Sequence, residues 1–344
     1  MDLDHKQHFV SWILNHLPKA NSIEGEFFLQ PLPGDAGFRR YYRLNTVPTL
    51  IAVDSPPSKE KNQEFIAVSL AFQAKNIKSP KIYAVDFQNG FMLLEDFGEQ
   101  LLLPLLTSDS VAKQYQQAES ILLTIHQVPF DARVFPKYDR SDFAFELSLC
   151  RDWFFDRLLG LTMENSSQDI LDATYQALID NALRQPQNIV HRDFHSRNIM
   201  LLQTGDMGII DYQDAVLGPI TYDLVSLLKD CYVGWPRDMV VKRALNFKDQ
   251  LLANKIIEDV DNQTFLKWFD LMGLQRHIKV LGIFSRLALR DGKVSYLQDL
   301  PLVINYVLDA SQRYSETQAF ASWFELTIMP VLSLQKWYKG KAVF

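Results

Sequence analysis

The sequence predicts an α+β protein of two lobes: a small antiparallel-sheet lobe with one helix (residues 1–97), then a larger, mostly helical lobe (98–344). Three observations predict it. Up to Gly98 the chain runs in short segments rich in aromatic and β-branched residues, broken by Gly and Pro as strands and turns are. Beyond Gly98 that pattern nearly vanishes and long amphipathic stretches replace it. At 344 residues the chain is also long enough to bury two separate cores.

The elements follow in order. MDLDHKQHFVSWILNHLP places Phe9, Ile13 and His16 or Leu17 at helical spacing and stops at Pro18, so it reads as an amphipathic helix. It is too short and interrupted for a signal peptide, and no run reaches transmembrane length. EFFLQPL, FRRYYRLN and TLIAVDSPP are strands of an antiparallel meander, the first two joined by the turn PGDAG. Lys59 to Lys75 carries Phe65, Val68, Leu70 and Phe72 near a helical period. PKIYAVDFQNGFMLLEDFG is a hairpin turning at Gln88-Asn89-Gly90. Ser110–Gln127, Phe143–Leu159 and Asp169–Leu183 are helices. Within the helical lobe, Asn188–Val190, Ile199–Leu202 and Met207–Ile210 are apolar pieces too brief for helices and read as strands. The tail from Tyr314 to Phe344, with Trp323, Phe324 and Trp337, is expected to pack as helices.

Composition narrows the function classes. Hydrophobic residues make up 47% and charged residues 22%, ordinary for a folded soluble chain. A net charge of -6 argues against broad nucleic-acid binding while leaving room for a local basic pocket. Cys150 and Cys231 are the only cysteines and lie far apart, so neither a disulfide framework nor a thiolate metal site is supported; a cytoplasmic monomer is expected.

The chemistry concentrates in NIVHRDFHSRNIMLLQTGDMGIIDYQD. His191-Arg192-Asp193 and Asn198 have the spacing H-R-D-x-x-x-x-N, and Asp211 follows Asn198 by thirteen residues, at the far end of the next hairpin. Phosphoryl transfer from a nucleotide needs a carboxylate to receive the acceptor hydroxyl proton and hard oxygen ligands for magnesium. Asp193, Asn198 and Asp211 supply that set, and the hairpin folds Asp211 back beside Asn198. Two plainer readings compete: a polar turn between strands, and zinc bound by His191 and His195, which lacks an HExxH glutamate or a cysteine partner.

These residues resemble the protein-kinase-like fold in its aminoglycoside phosphotransferase branch. GDAGFRRYYRL, VDSPP, FMLLEDFG, HRDFHSRN, IIDYQD, GPITYDLVSLLKD and QRHIKVLGIFSRLALRDGK are similar to one subgroup, the bacterial anomeric kinases for N-acetylmuramate and N-acetylglucosamine of cell-wall recycling. The resemblance spans roughly Pro31 to Leu302. It implies ATP and Mg2+ as cofactors, Asp193 as catalytic base, Asn198 and Asp211 as metal ligands, and Leu94–Phe97, with Glu95 and Phe97, as the hinge that meets adenine. It also implies His191 and Asp223 as structural support for the loop; Asp223 reads equally well as a first-turn helix acid.

One departure matters. Where a protein kinase carries a strand lysine for the nucleotide phosphates, LIAVDSPP has Asp54 or a neighbour. Strand alternation puts Arg40 with Phe38 and Tyr42 on one face and Arg39 with Tyr41 and Arg43 on the other, so Arg40 or Arg43 is expected to stand in. A pair of solvated edge arginines is the plainer reading. Gly34 and Gly37 are expected to cradle phosphate through backbone amides, and Glu64 either pairs with an arginine or is a solvated helix acid.

For the acceptor, Arg276, Lys279, Arg286 and Arg290 share one stripe of a helix, which suits an anion such as the lactyl carboxylate of N-acetylmuramate and repels a polycationic aminoglycoside. A solvated face with interhelical ion pairs is the alternative. The expected partners are therefore a small amino sugar and a nucleotide, with no nucleic-acid polymer and no membrane. Competing functions are a kinase of another small hydroxylated acceptor, such as an amino alcohol or aminoglycoside, and a non-catalytic nucleotide- or sugar-binding module.

Overall fold

The computed structural model describes residues 3–33 and 37–338. The chain falls into two compact units: one holds the chain up to Leu102 together with Arg197–Asp214, the other Leu103–Ser196 and the chain from Ala215 on.

The first unit opens with α1 (Leu3–His16), which buries Phe9, Trp12 and Ile13. β1 (Ser22–Ile23) pairs with β4 (Thr46–Val47) as a short flap. The main sheet uses β2 (Leu29–Pro31), β3 (Arg40–Leu44), β5 (Leu50–Asp54), β6 (Ile82–Asp86) and β7 (Phe91–Glu95), in the order β2-β3-β5-β7-β6 and antiparallel throughout. α2 (Asn62–Gln73) links β5 to β6. Phe9, Trp12 and Ile13 pack on Leu44, Leu50, Ala52, Phe91 and Leu93. Each such side chain, fully buried, contributes about 1.5–3 kcal/mol. Both helices expected before Gly98, α1 and α2, are present, and α1 covers the sheet face that these residues would otherwise expose. The β6–β7 turn needs its glycine: Gly90 has φ +75°, and a Cβ there would sit 1.9 Å from the Ser55 carbonyl oxygen.

The second unit begins with α3 (Val111–Ile125) and α4 (Arg140–Leu149), the latter started by a capping box in which Asp139 accepts from the Ser141 and Asp142 amides. α4 runs directly into a π-helical stretch, Cys150–Leu158. α5 (Asn165–Arg184) leads to β8 (Gln187–Val190). The chain then supplies the first unit with a hairpin, β9 (Ile199–Leu201) and β10 (Met207–Ile209), registered Ile199 to Ile209. It is tied there by Leu201 N to Gln100 O and Ile209 N to Lys78 O, both 2.8 Å.

Back in the second unit, β11 (Val216–Pro219) pairs with β8, and α6 (Tyr222–Leu228), α7 (Arg237–Ala253), α8 (Asn262–Arg290) and α9 (Leu300–Ser311) follow. At 29 residues α8 is the longest element, about 43 Å by helical rise, and α4, α5, α6, α7 and α9 all pack on it. Gly282 makes one approach possible: a Cβ there would lie 2.4 Å from the Leu149 carbonyl carbon, where α4 widens into its π turn. The tail adds α10 (Gln318–Trp323) and α11 (Met329–Leu332), with Trp323 Nε1 donating to Ser167 Oγ on α5. Among the described residues no helix is long and apolar enough to cross a membrane.

Candidate active site

The chain leaves β8 at Val190 and turns at once through His191, Arg192 and Asp193. Asp223, buried in the first turn of α6, accepts from the His191 amide at 2.6 Å and the Arg192 amide at 3.0 Å. Those bonds hold a backbone that Arg192 would not choose, since its φ is +75°. The Asp193 amide donates to His191 Nδ1 at 3.3 Å, which makes that nitrogen the acceptor of the buried imidazole. Burial pushes the Asp223 carboxyl up to about 7 although both amides pull the other way. The far end of the loop has its own anchor. Ser196 donates through its amide (2.9 Å) and hydroxyl (2.5 Å) to Asp230, a second buried carboxylate just past α6. The sequence reading found Asp223 and missed Asp230; its signal was an acid at each end of the apolar run DLVSLLKD.

Asp193 is half-buried, and burial alone would raise its pKa. Lys279 and Arg192, with the imidazoles of His195 and His191 acting in the same direction, outweigh that and hold the carboxyl below its ordinary value. Behind it, Glu146 on α4 takes Arg192 Nη2 at 2.5 Å, Lys279 Nζ at 2.8 Å and the Tyr138 hydroxyl. Lys279 Nζ also lies 3.0 Å from the Tyr222 hydroxyl. The cations of α8 therefore do not form one free stripe. Arg276 is buried and donates to Cys231 Sγ at 3.2 Å, Lys279 is buried in the Glu146 group, and Arg290 pairs with Asp291. Neither Arg276 nor Arg286 makes an ion pair among the described residues, and of the two only Arg286, half-buried, is not enclosed. The reason is that α8 is enclosed on most sides, so charges on it must be compensated internally. The sequence argument that a cationic face repels an aminoglycoside loses its footing with it.

In the first unit Asn198 precedes β9 and Asp211 follows β10. The hairpin closes on them: Ile210 N donates to Asn198 O at 3.0 Å, and Asn198 Nδ2 lies 3.4 Å from Asp211 Oδ2. Asp211 is exposed, with φ +65° and its other oxygen receiving Gln213 Nε2 at 2.7 Å. A carboxylate and an amide oxygen are hard donors, and magnesium characteristically takes one or two protein oxygens and fills its octahedron from phosphate and water. The pair fits that ion. Among the described residues no three His, Cys, Asp or Glu side chains converge as a metal cluster.

The sheet shows where charge is available for a nucleotide. Tyr42 packs against Phe9 (5.8 Å between rings), and Asp54, opposite Arg40 in register, bonds His5 Nε2 at 3.0 Å. The Arg40 face is thus the one α1 covers, and Arg40 itself is exposed. The other face carries Arg39, Tyr41 and Arg43. Arg43 is committed to Asp96 (2.6 and 3.1 Å), Glu99 and the Gly98 carbonyl. Arg39 is buried: its Nε donates to Ser55 Oγ (3.2 Å) and lies 3.7 Å from Glu60, Nη2 donates to Lys61 O (3.1 Å), and the guanidinium sits 5.0 Å over Phe65. Burial raises the Tyr41 phenol, Arg39 lowers it and Asp211 raises it again, so both charges bear on that ring. Sequence reasoning put Arg39 on this face without assigning it a role. The acid beside it is Glu60; Glu64 is exposed.

The remaining expected contacts divide. Gly37 lies against Glu60, where a Cβ would meet Oε1 at 3.1 Å; Gly34 lies outside the described residues. The Glu95 amide donates to Lys81 O at 2.8 Å. Phe97 lies against Gly208 of β10, where a Cβ would come within 2.5 Å of its ring.

An antiparallel sheet unit, a helical unit, and an H-R-D-x-x-x-x-N loop followed by a hairpin and an aspartate define a phosphotransferase of the kinase-like fold. Residues 29–252 match the phosphotransferase enzyme family, and the chain belongs to it. Among curated proteins it is similar to the N-acetylmuramate/N-acetylglucosamine kinase of Pseudomonas putida, at 37% identity over 82% of this chain and 83% of that protein. It is likewise similar to the enzyme of that name from Neisseria meningitidis, at 33% identity over 85% and 88%. In fold it resembles the ADP-bound aminoglycoside phosphotransferase APH(2'')-Ib (TM-score 0.58, 13% identity, 89% of this chain and 98% of that one). It also resembles the Plasmodium vivax ethanolamine kinase (TM-score 0.60, 12% identity, 82% of each).

Proposed function

We propose that this chain transfers the γ-phosphoryl group of ATP to the anomeric hydroxyl of N-acetylmuramate, N-acetylglucosamine or both, in peptidoglycan recycling. The observation that carries this reading is the 33–37% identity, over more than four-fifths of the chain, to enzymes named for that activity. A cytoplasmic site of action goes with ATP as donor.

In this reading the C1 oxygen bonds to the γ-phosphorus while the bond from that phosphorus to the β-phosphate oxygen breaks, and ADP leaves with the electron pair. Asp193, held ionised by its cationic surroundings, orients the C1 hydroxyl and receives its proton. Asn198 and Asp211 would hold Mg2+, which when bound offsets the charge of the β- and γ-phosphates. Arg39 offers a second offset on the sheet face shared with Tyr41 and takes the part expected of Arg40 or Arg43. The segment from Glu95 to Phe97 would meet the adenine, and the backbone at Gly34 and Gly37 the phosphates. Because the transition state is loose, positioning and charge neutralisation supply most of the rate. Of the cations assigned to the acceptor, Arg286 is the one that is neither buried nor ion-paired among the described residues, and it would grip a lactyl carboxylate.

The test is ADP release with N-acetylmuramate, N-acetylglucosamine, ethanolamine and kanamycin as acceptors at saturating Mg·ATP. The two amino sugars are expected to turn over and the other two not. Turnover of ethanolamine or kanamycin with neither sugar active would replace this reading.

A further inference from the structure

Glu146 and Lys279, both buried, and the half-buried Arg192 form a group with one negative and two positive charges. Arg192 Nη2 and Lys279 Nζ both reach the same carboxylate oxygen, at 2.5 and 2.8 Å, and the Tyr138 hydroxyl takes the other. Lys279 is completed by the Tyr222 hydroxyl at 3.0 Å, and Arg192 lies 4.8 Å over the Tyr138 ring. A salt bridge would need one cation, so the group carries a surplus charge of +1, and burying an uncompensated charge is costly. The residue that follows Arg192 is Asp193. We infer that Lys279 is a positioning residue for Asp193: sharing Glu146 with Arg192, it carries the surplus charge that the Asp193 carboxylate balances and so fixes that carboxylate toward the acceptor hydroxyl. This rests on the reading of Asp193 as the proton acceptor.

The groups that act on Asp193 are Arg192, His191 and His195 of its own loop, Lys279 of α8 and Asp223 of α6, while Glu146 of α4 holds both Lys279 and Arg192. Lys279 is the largest of the cationic influences, ahead of Arg192, the residue next to Asp193 in the chain. The same placement makes Lys279 unsuited to gripping substrate, since its three donor directions are largely spent on Glu146 and Tyr222.

The experiment measures kcat and KM against pH for the full chain, for Lys279→Met, Lys279→Arg and Glu146→Gln, with Asp193→Asn as the reference. Lys279→Met is expected to lower kcat at neutral pH about tenfold and move the acid limb up by about one pH unit, with KM for ATP unchanged. Lys279→Arg is expected to restore most of the rate. Glu146→Gln frees both cations and is expected to move the acid limb down, so it carries the test if Lys279→Met does not fold. Acid limbs coincident with the parent chain in the folded variants would overturn the inference while an inactive Asp193→Asn leaves the catalytic reading standing. Full activity in Asp193→Asn would overturn the catalytic reading itself.

Discussion

Arg39 donates through Nε to Ser55 Oγ at 3.2 Å, one residue beyond the Asp54 that stands near the usual place of a kinase strand lysine. Asp54 turns to the α1 face and bonds His5, while Ser55 turns to the other and receives a guanidinium from the start of β3. In the proposed reading, a cation absent from one strand is supplied by its neighbour. Arg39→Ala is therefore expected to raise KM for ATP by about ten- to a hundredfold, the worth of one or two charge-assisted hydrogen bonds, with Arg40→Ala close to the parent chain. Steady-state kinetics with varied Mg·ATP measures both; equal effects would return the role to the exposed residue.

Asp211 and Asp193 are assigned different work, and their variants should fail differently. Asp193→Asn is expected to lower kcat by two to four orders of magnitude, the usual reach of general-base catalysis, with nucleotide affinity retained. Asp211→Ala is expected to weaken Mg2+-dependent nucleotide binding. Titration calorimetry of ADP with and without Mg2+ separates them; an unchanged magnesium requirement in Asp211→Ala would remove it from the ligand set.

Asp223 gives a pH dependence of defined sign. Its carboxyl holds a proton up to about pH 7 in the fold, chiefly because it is buried, whereas the unfolded chain releases it near 3.8. Stability from this group is present below that lower value and drains as pH rises through 7. Relative to Asp223→Asn, which does not titrate, the parent chain is expected to lose roughly 2–3 kcal/mol between pH 5 and pH 8. Urea unfolding of both proteins at the two pH values measures the difference, and a constant gap would contradict it.

Gly282→Ala is expected to destabilise the helical unit by about 1–3 kcal/mol or more, because the new methyl meets backbone atoms of Leu149 and Cys150, which have no rotamer with which to yield. Thermal unfolding followed by circular dichroism reads the loss.

The fold was largely legible because it is written in local periods. Short β-like runs before Gly98 and 3.6-residue patterns after it correspond to the five-stranded sheet and the helices from α3 onward. Ile199–Leu201 and Met207–Ile209 were legible as a pair because apolar runs that short cannot make a helix, and their turn carries Asp211 toward Asn198. β11 was not, since VLGP is a strand only through its pairing with β8. The arginines of β3 show the limit more sharply. Alternation divides Arg39 and Arg43 from Arg40, yet which face α1 covers depends on Phe9 reaching Tyr42 across thirty-three residues of chain. The stripe on α8 failed for a related reason: period assigns a side to Arg276 and Lys279, but Glu146 and Cys231, which occupy that side, lie far off in sequence.

The most direct measurement is the position of the transferred phosphate. Phosphorus-31 and carbon-13 NMR of the product from ATP and N-acetylmuramate is expected to show phosphorus coupled to C1, and the 1-O-methyl glycoside is expected to remain unmodified. Phosphate on any other oxygen, or on the methyl glycoside, would contradict anomeric transfer.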